Sequence, residues 1–442
     1  MTSAAPGHVL TGSPDDFHPV LRLIGDAQFA LIGEASHGTH EFYRIRAEIT
    51  KRLIREKGFT SVAVEADWPD AYRVNRYVQS RSLDDDAEAA LSGFRRFPQW
   101  MWRNADVLDF VGWLRAHNDA LRPSEQRVGF YGLDLYALHT SIEAVLAYLR
   151  IVDHDAARRA QARYSCFDHF GADPQAYGYA TSLGLGPSCE AAVVAELTDL
   201  RRAGAEYARR DGRVEPDDFF YAEQNARLVR NAERYYRAMF GNHAQSWNLR
   251  DRHMAEMLEA LVAFHETRRR RPEKVVVWAH NSHLGDARAT EMTMRGELNL
   301  GQLVRTRHGL DAALIGFLTY GGTVTAASDW DEPAERKRVR PALPGSYEGI
   351  FREWGQGEHE NRFVNLTESD PLIRRLAEPY LERAIGVIYR PETERHSHYF
   401  HARLTQQFDG ILYYDTTRAV EPLERTGLWE RGEVPETFPS AL

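Results

Sequence analysis

The chain has 442 residues, 43% hydrophobic and 27% charged, with a formal net charge of −9. An acidic balance without a basic stripe argues against a nucleic-acid binder. The length is two to three times that of an ordinary domain, so one large domain with insertions or two domains would fit, with ample apolar content for a core.

Lysine stands only at Lys51, Lys57, Lys274 and Lys337, so the basic residues are nearly all arginine, a bias read here as genomic composition. The N-terminal "MTSAAPGHVLTGSPDDF" lacks a basic start and a long apolar run, so no signal peptide is expected. No apolar stretch reaches the length of a membrane span. Cys166 and Cys189 form no framework and no metal-type spacing, which suits reduced thiols in a cytoplasmic protein.

In chain order, "AQFALIG" reads as the first buried strand. An amphipathic helix over 41–57 follows, with Phe42, Ile45, Ile49 and Leu53 on one stripe. "TSVAVEA" is a second strand, 102–121 a second amphipathic helix, and "RVGFYGLD" a third strand. From about Ala137 to Arg271 helix follows helix, interrupted by a Gly-rich loop, "GADPQAYGYATSLGLGPS". "KVVVWAH", "DAALIGFLTY", "AIGVIY" and "DGILYYD" are the later strands, and "WDEPAERKRVRPALPGSYEGIF" is a charged surface loop before the last two. Strand alternating with helix predicts an α/β fold with a mostly parallel sheet flanked by helices. The expected organisation is a discontinuous core of residues 20–136 and 272–425, with a helical insertion or lid, 137–271, over a deep cleft.

Ligands of open parallel sheets bind at the carboxyl ends of the strands. There the sequence places Glu34 and His37, then Glu65 and Asp67, then Asp134, then His280 with His283 and Asp286 beyond. Singly, Asp67 and Asp134 read as helix caps, Asp67 before Trp68-Pro69 being a helix start. Glu34, Glu65 and His280 together, each closing an apolar strand, read as a site. At 100° per residue Arg46 falls about 40° from Phe42 on the buried stripe, and Arg250 about 40° from Met254, with Arg252 on the opposite side. A guanidinium on a buried stripe needs a carboxylate or an anionic ligand. The structural alternative for Arg250 is an ion pair with Asp251 or a core glutamate. A carboxylate beside an imidazole makes a general base for water, and nearby arginines would stabilise an oxyanion. No G-x-S-x-G elbow is present and neither cysteine sits in a nucleophile-like context.

The segments "LIGEASHGTHEFYRIRAEIT", "VAVEADWPDAYRVNRYV", "RFPQWMWRNADV", "GFYGLDLYAL", "NLRDRHMAEML", "VVVWAHNSHLGD" and "SHYFHARLTQQFDGILYYDTTRAVEPL" together resemble the erythromycin esterase family, over about residues 20–425 and in family order. Characterised members of that family add water to the ester of a macrolactone. The resemblance implies His37 as general base, Glu34, Arg46, Glu65, Arg250, Asp251 and His280 as its companions, and an α/β core with a helical part roofing a cleft. It implies ester or lactone hydrolysis without a covalent intermediate, and it carries a mechanism more than a macrolide substrate or antibiotic resistance.

Two other classes stay open. His37, His280, His283, Glu34 and Glu65 could instead be metal ligands of a hydrolase, although no H-E-x-x-H spacing occurs and two arginines would repel a cation. A non-catalytic protein could use the same groups to anchor a sugar or metabolite, with Trp68, Trp100, Trp102 and Tyr136 stacking on it. Of His396, His398 and His401 at most one is expected to reach ligand, His398 being chosen. The preferred reading is catalytic His37, Glu34, Glu65, His280, Arg46 and Arg250, with His283, Trp68, Asp134 and His398 binding substrate. It takes no metal and no cofactor. Its partner is a small-molecule ester or lactone, neither nucleic acid nor membrane, and an arginine-lined cleft favours anionic or neutral polar esters.

Overall fold

The computed structural model describes residues 5–122, 125–171, 173–207, 216–241, 243–355 and 359–432, with side chains except at positions 205 and 216. Among these residues the strands are β1 (His8–Val9), β2 (Phe29–Ile32), β3 (Ser61–Asp67), β4 (Gly129–Asp134), β5 (Val275–Trp278), β6 (Ala312–Ala326), β7 (Glu335–Val339), β8 (Arg362–Asn365), β9 (Tyr380–Arg383), β10 (Tyr399–Ala402) and β11 (Gly410–Thr417). Nine form one sheet in the order β1-β8-β11-β6-β2-β5-β3-β4, with β7 pairing β6, while β9 and β10 make a separate hairpin. From β11 to β4 every pairing is parallel; β1, β7 and β8 are antiparallel additions.

The central strands are covered on both faces, which is why their sequences are unbroken apolar runs. Side-chain alternation divides them between two cores: Phe29, Leu31, Val275 and Val277 pack on one face, Ala30, Ile32, Val276 and Trp278 on the other. The second core is closed by the helices His40–Lys57 and Ala105–Ala120. The first ends on Gly58 in the left-handed region (φ 71°), and the second starts from Asn104, whose side chain accepts from the Val107 N–H at 2.9 Å. Phe42, Ile45, Ile49 and Leu53 are all buried on helix His40–Lys57. At about 2 kcal/mol each they supply a gross gain on the order of 8 kcal/mol, enough to carry the desolvation of Arg46 on the same stripe.

Between β4 and β5 the described residues form helices and no strand, as expected. The Gly-rich stretch is not simply a loop: it contains the helix Pro174–Ser182, opened by Asp173, whose carboxylate accepts from the Gln175 N–H. Residue 172 of that stretch lies outside the described residues. Cys166 and Cys189 are joined in a disulfide, correcting the expectation of reduced thiols. No helix among the described residues is long and apolar enough to cross a membrane.

Two further expectations are corrected. "AIGVIY" is not a sheet strand; it runs as an extended segment joined to Ser36 and Ala327 by isolated bridges, apolar because it passes over the strand ends. The charged segment 330–351 is not a loop throughout: it contains β7, which extends β6 as a hairpin, and the start of helix Tyr347–Trp354. In β7 the residues alternate between buried and accessible, the pattern of an edge strand, which a charge count hides.

Candidate active site

Four neighbouring strands, β2, β5, β3 and β4, deliver the ionisable groups to one end of the sheet. The turn after β2 brings Glu34 and His37 there, helped by Gly38, where an added Cβ would lie 1.8 Å from the Thr325 carbonyl oxygen. On β3 the register with β4 shifts between Val64 and Asp67, a bulge carrying Glu65. Gly132 of β4 makes room for it: a Cβ there would sit 2.4 Å from Ala66 O and 2.7 Å from Asp67 O. His280 follows β5 and opens the helix Asn281–Leu284.

The cavity above these strand ends has a volume of about 500 Å³. His37, Glu65, Asp134, Arg250, His280, His283 and His398 line it, as do Asp67, Trp102 and Tyr136. His396 and His401 do not, so one histidine of that run reaches the cavity. The site expectations need three corrections. Trp68 is buried away from the cavity, stacked against Tyr72, Tyr131 and Tyr221. Trp100 is buried and outside the lining as well. Arg46, at 0% exposure, lies behind Glu34 and is out of reach of any substrate oxyanion.

His37 Nδ1 is 2.9 Å from Glu34 Oε1, and Arg46 Nη2 is 3.0 Å from Glu34 Oε2, an ionic contact without hydrogen-bond alignment. The Arg46 guanidinium is held further between the Tyr43 and Trp278 rings, 4.8 Å from each centroid. Nδ1–H of His37 therefore donates to a carboxylate that is itself charge-balanced, which leaves Nε2 as the basic nitrogen. Nε2 is 3.9 Å from Glu65 Oε1. Burial alone would raise the Glu65 carboxyl, but His283, Arg250 and His37 outweigh it, with the His280 N–H at 2.8 Å, and hold Glu65 far below the usual range.

Arg250 faces the cavity and Arg252 faces solvent, as the helix phase requires. Arg250 Nη2 is 2.6 Å from both Glu65 Oε1 and Asp134 Oδ2, Nε is 2.9 Å from Asp134 Oδ1, and Nη1 is 3.0 Å from His283 Nε2. A guanidinium can only donate, so His283 Nε2 accepts and its Nδ1–H donates to Asp251 at 2.9 Å. Burial opposes a cationic His283, but Asp251 and Glu65 outweigh it and the Arg250 charge and raise its pKa above the ordinary imidazole value; whenever the ring is neutral, the Arg250 contact keeps its proton on Nδ1. Its ring stacks on Trp247 at 4.5 Å. Burial disfavours the Asp134 carboxylate, and Arg250 overrides it.

His280 is different. Burial first, then the neighbouring His37, push it down to about 3, so it is neutral. The Ser282 N–H donates to His280 Nδ1 at 3.1 Å, which places the proton on Nε2. That Nε2–H has no well-aligned acceptor in the protein beyond an approach to the Ala35 carbonyl, and its ring centroid is 4.9 Å from that of His37. Among the described residues no three His, Cys, Asp or Glu side chains are disposed to hold a metal ion. Among the cavity residues missed by strand-end reading are Asp70, Arg96, Phe97, Trp247 and Trp330. Helix phase would have found Asp70 and Trp247, but the others come from irregular loops that carry no periodic signal.

The fold is a mixed α/β sheet that carries buried His, Glu and Arg side chains at its strand ends. The chain belongs to the erythromycin esterase family, whose model matches residues 54–417, and that membership makes it an esterase-type hydrolase. The match is shorter than the 20–425 expected and begins after Glu34, His37 and Arg46. The chain is 24% identical to "Erythromycin esterase type II" of Escherichia coli over 335 residues, 71% of this chain and 74% of that one. Its fold is similar to that of a Bacillus cereus protein (TM-score 0.73, 19% identity, 95% and 97% of the two chains covered). It is similar also to a succinoglycan biosynthesis protein (TM-score 0.72, 19%, covering 94% and 96%). A third similar structure is an erythromycin esterase with a histidine-to-asparagine substitution in its open conformation (TM-score 0.68, 17%, covering 96% and 99%).

Proposed function

We propose that the protein hydrolyses a carboxylic ester or lactone, a macrolactone among the candidates, by water activated at His37 and without a covalent intermediate. The observation that carries this is the line Arg46–Glu34–His37, which fixes the imidazole's donor side and leaves Nε2 free at the cavity wall. Nε2 takes a proton from water as the oxygen adds to the ester carbonyl, and Glu65 receives the water's second hydrogen in a hydrogen bond. The Glu34 and Glu65 carboxylates stabilise the imidazolium that forms. In this reading the tetrahedral oxyanion takes His280 Nε2–H, a neutral and buried donor that exchanges its approach to the Ala35 carbonyl for the substrate oxygen. As the C–O bond breaks, His37 returns its proton to the leaving alkoxide. Arg250 is consumed by Glu65, Asp134 and His283, so it orients Glu65 and does not meet the oxyanion. The same reading takes 137–271 as a helical insert in a core of 20–136 and 272–425, supported by the strandless stretch between β4 and β5, of which Trp247 and Arg250 reach the cavity.

The test is turnover of a panel of simple esters, lactones and a macrolide by the purified protein, each with and without a strong chelator, beside His37→Ala. Activity should survive chelation and fall by about 10³-fold or more in His37→Ala. Loss to chelator with recovery on one added metal would move the histidines into a coordination shell. Undiminished turnover by His37→Ala would remove the general base proposed here.

A further inference from the structure

At the strand ends four carboxyl groups, Glu65, Asp67, Asp70 and Asp134, face two guanidiniums, Arg96 and Arg250, so the arginine-rich lining expected there from sequence is corrected. The arginines gather instead around a second cavity, of about 550 Å³, beside the start of β4. Its walls come from the helix Trp68–Val78, from β4 and from the end of the helix His243–Arg269, and no residue lines both cavities.

Six guanidiniums line it, Arg76, Arg81, Arg122, Arg127, Arg268 and Arg269, against the carboxylates of Glu125 and Asp217. Asp217 is shared by Arg81, at 2.6 Å, and Arg268. Glu125 accepts from Arg122 at 3.1 Å, and Arg269 turns to the buried Glu273 at 2.6 Å. Arg76 and Arg127 are held differently. Arg76 Nε and Nη2 donate to the Arg81 carbonyl oxygen at 3.3 Å and 3.1 Å, and its contact with Asp218 is 4.0 Å long. Arg127 Nη1 donates to the Gln79 carbonyl oxygen, and among the described residues Arg127 has no ion pair. The two carbonyls stand two residues apart, so both guanidiniums are anchored to one short segment. A carbonyl oxygen orients a guanidinium and leaves its charge in place. Even with Glu273 and Asp218 counted beside the lining groups, guanidiniums exceed carboxylates by two. A phosphate monoester carries about −1.5 to −2 at neutral pH and three acceptor oxygens, which matches that surplus and the forked donors.

The rest of the lining is aromatic. Tyr72, Tyr131 and Phe220 are buried, whereas Phe264, stacked on Phe220 at 4.1 Å, keeps part of its ring accessible. The Arg268 guanidinium is 5.3 Å from the Phe264 centroid. A flat ring attached to a phosphate finds both a ring face and a cation there. The volume is that of a small-molecule site.

We propose that this cavity binds an aromatic phosphate monoester, with the phosphate on Arg76 and Arg127 and the ring along Phe264. Nucleoside monophosphates and small aryl phosphates share this chemistry. The site is independent of the esterase reading above.

Isothermal titration of the full chain at constant ionic strength tests it, with phenyl phosphate, adenosine 5′-monophosphate, inorganic phosphate and phenylacetate as probes. At least one of the two phosphate esters should saturate one site per chain and bind about tenfold or more tighter than inorganic phosphate or phenylacetate. The tighter ester identifies the source. Arg127→Gln should weaken that ester about tenfold. Phe264→Ala should weaken the ester and leave inorganic phosphate unchanged. Arg158→Gln, at an exposed arginine outside the cavity, should change neither. If Arg127→Gln does not fold, Arg76→Gln, at an exposed position, carries the same comparison. Esters bound no more tightly than inorganic phosphate, or ester binding untouched in a folded arginine variant of the cavity, would overturn the proposal.

Discussion

At the scale of single residues, the site is built from groups whose protonation is set by who may donate to them. His37, His280 and His283 sit within one cluster yet take different roles, because each has a different neighbour on its second nitrogen: Glu34, the Ser282 N–H and Arg250. If His280 Nε2–H receives the oxyanion, His280→Ala should lower kcat by about 10²–10³-fold with little change in KM. Steady-state kinetics on any turned-over ester decide it, and a variant altered chiefly in KM would make His280 a binding residue. A second residue-scale prediction concerns Glu382, fully buried on β9, whose carboxyl is pushed up to about 8 by burial and by Glu348, against an ordinary 4.5. The folded chain keeps a proton that the unfolded chain has released, so stability falls as pH rises from about 4.5 through 8 and then levels. Glu382→Gln cannot ionise and escapes this loss. Relative to native protein it should gain about 4 kcal/mol between pH 5 and pH 9 in urea unfolding. A difference that does not change with pH would mean the carboxyl is not protonated in the fold.

At the scale of elements, the bulge on β3 is the feature on which the proposed chemistry depends most directly. It places Glu65 and Asp67 in the cavity only because Gly132 lets the bulged backbone approach. Gly132→Ala puts a methyl group into two carbonyl oxygens, so it should cost about 1–3 kcal/mol of stability and, at temperatures where the variant is folded, lower kcat at least tenfold by shifting Glu65. Thermal unfolding and ester kinetics on the same sample check both halves. Native-like kcat in a folded Gly132→Ala would show that the bulge tolerates relaxation without moving the carboxylate.

At the scale of the whole molecule, the parallel centre was legible because strands covered on both faces must be apolar throughout, and "AQFALIG", "TSVAVEA", "RVGFYGLD" and "KVVVWAH" are. The short strands β7 to β10 were not, since one-sided or marginal pairing leaves charged residues in the run, as in "ERKRV" of β7. "AIGVIY" misled for the opposite reason, being apolar against the mouth of the site and not within the sheet. In the site, strand ends and helix phase placed Glu34, His37, Glu65, His280 and Arg250. They could not say that Arg46 stands behind Glu34, or that Arg96 and Trp330 reach in from loops, because those facts depend on tertiary paths. Sheet order supplies a prediction of its own. β5 lies between β2 and β3, so a fragment ending at residue 271 lacks the strand that joins its own halves. That fragment should be digested by protease much faster than the full chain, and comparable resistance would show that the early strands have another way to pair.

The same placement governs what happens while the chain is being made. β2, β3 and β4 emerge early, yet β2 and β3 are not neighbours, and each must wait with an open ladder edge until the whole helical stretch has been synthesised and β5 arrives. During that interval His37 has no His280 beside it and Glu65 has neither Arg250 nor the backbone N–H that holds it. On the proposed mechanism, ester cleavage therefore begins only late in translation, and an interrupted chain is expected to be sticky and inert in place of a partial enzyme.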